Sequence, residues 1–329
     1  MTDATAEGPL TAETVASRPA TIPAWQVMVA LIRREFWEHR ALWTAPLVTG
    51  ALMVLSTLLV HMGNNRWGTF PVFVGPGSAS ADPHALGVMI SSARQIGVSM
   101  PLYLAAVVTL FFYLLSSLYD ERKDRSILFW KSLPVSDTAT VLSKLLVALV
   151  VVPLGVFVAA IVTDMLQRWI WDIRYAMGLV GGPEFVWDAM AWVKVEAFML
   201  LVVTLAVLWY APIAAYLMVI SAFARRNAFL WAVLPPVILT VVERIAFGTR
   251  YVNDLLLYRL GGVWYDLWNN FRGHGVPGSP FWKQHTYPSV FDVVSFRDLF
   301  MNVDLWLGLI VAAALIYATI RTRRYRDDT

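Results

Sequence analysis

Six stretches of this chain are long and apolar enough to cross a bilayer, near 42–62, 97–119, 139–163, 196–222, 228–247 and 303–321. A spanning helix needs about 20 mostly apolar residues, because the hydrocarbon core offers no water to satisfy an open backbone. VLSKLLVALVVVPLGVFVAAIV and LWLGLIVAAALIYATI are the clearest of the six. The fifth is interrupted by Pro235-Pro236, where a kink is expected. The pattern predicts an all-α integral membrane protein with six transmembrane helices. The composition agrees: only 15% of residues are charged, against roughly 25% in ordinary soluble domains. A formal net charge of +3 is too small to argue for a nucleic-acid partner. The absence of cysteine excludes disulfides, thiolate catalysis and cysteine metal sites.

Orientation follows from the cations near the helix ends. Arg33, Arg34, Arg40, Arg122, Lys123, Arg125, Lys131, Arg225, Arg226, Arg321, Arg323, Arg324 and Arg326 crowd short connections on one side. That side is predicted to be cytoplasmic, and an even number of spans then puts both termini there. Residues 1–22 read as a disordered cytoplasmic tail and 323–329 as a basic one. Segment 23–41 is too polar to span and too apolar to be free in water. It reads as an N-terminal amphipathic interfacial helix, or else as an extension of the first span. The opposite connections, 63–96, 164–195 and 248–302, are longer. The last is rich in Trp, Tyr and Phe and reads as short interfacial helices in an aromatic belt, with a carbohydrate or lipid-headgroup platform as the alternative.

Catalytic chemistry finds few residues. None of the five histidines is paired at i, i+4 spacing, and no HExxH, GxSxG, GxGxxG or GxxxxGK[ST] pattern occurs. No catalytic, cofactor-binding or metal set is predicted in this chain. Lys144, Glu196 and Glu243 fall near predicted span ends, which argues against a proton-coupled transporter with a buried carboxylate at mid-span.

The segment LYDERKDRSILFWKSLPVSD, residues 118–137, stands between spans two and three. Asp120, Glu121, Arg122, Lys123, Asp124 and Arg125 balance in charge. Glu121 and Arg125 stand four apart and Asp120 and Lys123 three apart, spacings that support a helix. Ser126, Phe129, Trp130 and Leu133 share one helical stripe, Pro134 stops it, and Ser136 or Asp137 can cap the next helix. Such an element either docks into a partner's groove or rests its aromatics among headgroups.

Residues 118–146 resemble the loop between spans two and three of ABC-2-type permeases, the membrane subunits of one class of ATP-binding-cassette exporters. Glu121, Ser126 and Leu133-Pro134-Val135-Ser136 stand at matching positions, while Arg125 occupies a place where many relatives carry glycine. The resemblance implies that this loop is the coupling helix. Its ATPase contacts would be Asp120, Glu121, Arg122, Lys123, Asp124, Arg125, Phe129 and Trp130. It implies that 23–41 is the elbow helix, with Arg33, Arg34, Glu35 and Glu38 as a second contact. It further implies two separate ATPase subunits carrying ATP and Mg, a second permease subunit as a homodimer, surrounding membrane lipid, and a bacterial inner membrane. The chain would then be a permease without ATPase activity, exporting its substrate by alternating access. The alternatives are a non-transporting sensor or assembly subunit using the same loop, or a secondary transporter.

Overall fold

The computed structural model describes residues 23–59, 83–124, 135–179, 188–275 and 294–325. The tail 1–22 and the loop residues Arg125, Phe129 and Trp130 lie outside them. Among the described residues every regular element is a helix, and no strand occurs.

Helix α1 (Ala24–Glu38) is separate from α2 (Ala41–Leu59), because the chain breaks at His39 and Arg40. Helix α3 (Pro83–Ser116) ends in a turn, followed by the single turn of α4 (Tyr119–Lys123). Beyond residues 125–134, α5 (Asp137–Leu146) runs through a π-helical turn, Val147–Val151, into α6 (Val152–Ala176). Pro153 accounts for the wide turn: its ring opposes the carbonyl four residues back, at Leu149, and one extra residue relieves that clash. Then come α7 (Ala189–Phe223), α8 (Ala228–Phe247), α9 (Tyr251–Gly275), α10 (Phe296–Phe300) and α11 (Val303–Tyr325).

Six helical stretches are long and apolar enough to cross a membrane: Ala41–Leu59, Arg94–Lys123, Asp137–Ala176, Ala189–Phe223, Ala228–Phe247 and Phe296–Tyr325. This is the layout of a multi-pass membrane protein. The third and fourth overrun their sequence-based bounds, so much of the expected loop 164–195 is helix. The reason is that Asp164, Gln167, Arg168 and Arg174 find partners inside the bundle, which a hydropathy window cannot register. The aromatic connection also differs from expectation, since α9 is one helix of 25 residues. Glu243 at the end of α8 starts it, accepting hydrogen bonds from Thr249 Oγ1 (2.7 Å) and the backbone N–H groups of Tyr251 (2.7 Å) and Val252 (2.8 Å). Residues 276–293 lie outside the described residues.

Helix α7 is the hub, packed most heavily on α11 and α3, while α2 packs on α3 and α6. One core gathers Leu102, Leu118, Val141, Val147 and Met218; a second surrounds Trp209 with Val195, Leu205 and Leu305. Large apolar side chains such as Leu104, Val107, Val158 and Ile310 point outward, as a lipid-bathed surface requires. At Gly50, α2 comes so close to α6 that a Cβ would lie 2.8 Å from Thr163 Oγ1.

Candidate functional site

The most concentrated chemistry lies where α1, α4, α5 and α11 meet. Lys144 is fully buried two turns into α5, on the same face as Val141 and Leu145. Its Nζ lies 2.8 Å from Glu35 Oε1 on α1 and 3.2 Å from Glu121 Oε1 on α4. The second Glu121 oxygen accepts from Arg323 Nη1 of α11 at 2.7 Å, and Arg323 Nε donates to Asp137 Oδ1 at 3.0 Å. Arg34 reaches Glu121 Oε1 at 3.4 Å and pairs with Glu38 at 2.6 Å. Glu35 Oε2 accepts from the Tyr113 hydroxyl at 2.9 Å.

Each buried charge thus has an opposite charge or a hydrogen bond, the condition for ions to survive removal from water. The network joins α1, α4, α5 and α11 with Tyr113 of α3, and its directly bonded members stand up to 202 residues apart in the chain. His39 stands at its edge, ring against Tyr113 at 4.9 Å, with Nε2 3.8 Å from Glu35 Oε2. Burial lowers the imidazole pKa below 6.5, outweighing the attraction of Glu35, which Lys144 already neutralises; Lys144 lowers it further, while Glu38 and Asp120 raise it.

Glu35, Glu38 and His39 bring three potential ligand atoms within 4.8 Å of one another. Lys144, Tyr113 and Arg34 already use the carboxylates. The trio reads as a node of the ion network rather than a metal centre. The neighbouring turn is sewn to α7: Ser221 Oγ accepts from the Leu118 and Tyr119 N–H groups, both at 3.0 Å. Arg122 Nη2 donates to the Ser221 (2.7 Å) and Ala224 (2.8 Å) carbonyls at the end of α7.

A second polar layer occupies the far half of the bundle. Gln95 Nε2 donates to Glu196 Oε1 at 2.7 Å, and the Trp192 indole donates to Asp164 Oδ2 at 2.9 Å. Arg168 lies 3.5 Å from the same Asp164 oxygen. Gln167 donates to the Met53 carbonyl, and Arg174 donates to the carbonyls of Thr57 (2.6 Å) and Leu58 (2.7 Å), closing the end of α2. Lys144 and Asp164 are roughly twenty residues apart, about 30 Å at an α-helical rise. That matches the thickness of the hydrocarbon core.

No family model, curated protein or solved structure matches this chain. The placement of its residues therefore carries the reading. Of the predicted ATPase contacts, Lys123 and Asp124 are exposed and Asp120 is half-buried. Arg122 is engaged with α7, and Glu121 is buried in the ion network. In the predicted second contact, Arg33 is exposed, Glu38 is exposed but paired with Arg34, and Glu35 is buried. Glu35 and Glu121, two of the three glutamates that sequence reading offered to a partner, are buried and tie helices together. Ser136 caps α5 as expected, accepting from Ala139 N–H at 3.1 Å. Asp137 is taken by Arg323. Lys144, Asp137, Arg323 and Tyr113 are network members that sequence reasoning did not assign to a site.

Proposed function

We propose that this chain is the transmembrane permease subunit of an ATP-binding-cassette exporter. One observation carries the reading: both stems of the 125–134 loop are clamped by the same side chain. Arg323 binds Glu121 on the incoming stem and Asp137 on the outgoing one, and Glu121 is tied through Lys144 to Glu35 on α1. A loop that receives force from a separate ATPase needs stems that cannot yield, so that displacement reaches the spans. The resemblance of 118–146 to the coupling loop of ABC-2-type permeases supports the same reading.

The clamped end would face the cytoplasm, since exposed Arg33, Arg40, Lys123, Arg225, Arg226, Arg321 and Arg324 belong to helix ends and connections there. Helix α1 would then be the interfacial elbow, and two such subunits would work with two ATPases that bind ATP and Mg. Alternating access would carry the substrate outward. The test is reconstitution with an ATP-binding-cassette ATPase, sought in a neighbouring reading frame that carries a Walker A motif. Trp130→Ala, in the loop, should leave the permease folded while lowering ATPase copurification and uncoupling hydrolysis from transport. Normal assembly and transport by Trp130→Ala, or transport by this chain without any ATPase, would overturn the reading.

A further inference from the structure

Beside the ion network a pocket of about 910 Å³ opens between the α1–α2 junction, α3, α4 and the start of α8. Its lining is mixed in chemistry. Arg40, Asp120 and Lys123 supply its charge; Val108, Phe112 and Phe229 supply its apolar lining. Glu38, also in the lining, is held by Arg34 at 2.6 Å. Arg40 and Lys123 are exposed, and neither has a carboxylate in ion-pair contact among the described residues. Of the two acids in the lining, Glu38 is turned to Arg34 and Asp120 is half-buried, so the exposed cations Arg40 and Lys123 are the charges offered to a solute. The apolar lining is continuous with the outer flank of the bundle: Phe112 is 56% exposed, Val108 51% and Phe229 49%. The pocket lies at the level where the charged helix ends meet the apolar spans.

We propose that this pocket binds one glycerophospholipid from the leaflet on the α1 side. Its phosphodiester sits between Arg40 and Lys123, and an acyl chain lies along Val108, Phe112 and Phe229. A single negative charge answers the two exposed cations, and the adjoining apolar lining takes the chain without exposing it to water. Two cations at the pocket mouth hold the phosphate while their stems cover apolar surface. The inference needs only that the chain sits in a bilayer, so it stands or falls separately from the exporter reading.

The test uses full-length protein in nanodiscs containing a phosphatidylglycerol analogue with a diazirine on one acyl chain. Photolysis should label peptides around 108–112 and 229–230. Arg40→Gln/Lys123→Gln should cut that labelling at least about tenfold, the loss expected when charge-assisted hydrogen bonds to the phosphate are removed. Arg225→Gln/Arg226→Gln, exposed cations outside the pocket lining, should leave it unchanged. Val108→Trp, which adds bulk at the apolar lining and spares the cations, should also abolish labelling in protein that elutes as wild type on gel filtration. Equal labelling in the Arg40→Gln/Lys123→Gln variant would mean unselective annular lipid and overturn the proposal. Absent labelling would overturn it too, as would a cross-link from Phe112→Cys to residues 125–134 or to a second copy.

Discussion

Lys144→Met is the sharpest perturbation of the ion network. Lys144 is the cation that Glu35 and Glu121 share, at 2.8 and 3.2 Å. At an effective dielectric constant near 20 those contacts are worth about 6 and about 5 kcal/mol of gross attraction. Most of this offsets the desolvation of three buried ions, so the intact cluster adds little net stability. Removing the lysine is another matter. Glu121 keeps Arg323 and Arg34, but Glu35 is left with a tyrosine hydroxyl and a neutral imidazole. Stranding a buried carboxylate costs about 3–5 kcal/mol. Lys144→Met/Glu35→Met removes charge and countercharge together and should recover much of that loss, giving a coupling energy of about 1.5–3 kcal/mol. Equilibrium unfolding in mixed micelles of the wild type, both single variants and the double variant measures it. A near-neutral Lys144→Met, or additive single effects, would refute the claim that these two residues form one buried unit.

The pH response should carry the signature of His39. Its pKa is lowered in the fold, so the unfolded chain binds the proton more readily; stability is full above about 6.5 and is lost as pH falls below it, and His39→Gln should flatten that slope in thermal melts. Gly50→Ala should destabilise by about 1–3 kcal/mol through overlap with Thr163, and Gly50→Ala/Thr163→Ala should restore most of it in the same melts. Glu243→Ala removes the acceptor for two N–H groups at the start of α9 and should show as faster hydrogen exchange at Tyr251 and Val252 with the rest of the bundle unchanged.

The six spans were legible because hydrophobic length is a local property that a window can count. Partner choice inside the bundle is not local. Glu35 and Lys144 meet across 109 positions, and Glu121 and Arg323 across 202. A charged residue at a span end looks solvated until its partner is known. Yet a signal was present in the spacing. Glu35 follows the buried Leu31 by one helical turn, and Arg323 continues the buried positions Ala312 and Thr319 of α11. Asp164 and Gln167 extend the buried stripe of Val156 and Ala160 on α6, the continuation that the sequence-based end at 163 cut off. A charge on the apolar stripe is a residue waiting for a countercharge. Arg33 and Lys123, by contrast, lie off those stripes and are exposed.

Charge on those stripes also divides the molecule mechanically. The ion network fixes the helix ends at one level, and the Asp164–Glu196 layer fixes them about 30 Å away. Ion pairs and buried hydrogen bonds tolerate little displacement, so both levels resist deformation. Between them the helices carry their weak points. Pro101 lies within α3 and Pro212 within α7, and the π turn precedes Pro153 at the junction of α5 and α6. Each removes or lengthens a backbone hydrogen bond, which is where helices bend. A push on the loop between α4 and α5 would therefore travel through Arg323, Glu121 and Lys144 without being absorbed and emerge as bending in the middle of the spans. In the proposed permease, compliance would then sit at mid-span and stiffness at the point of drive.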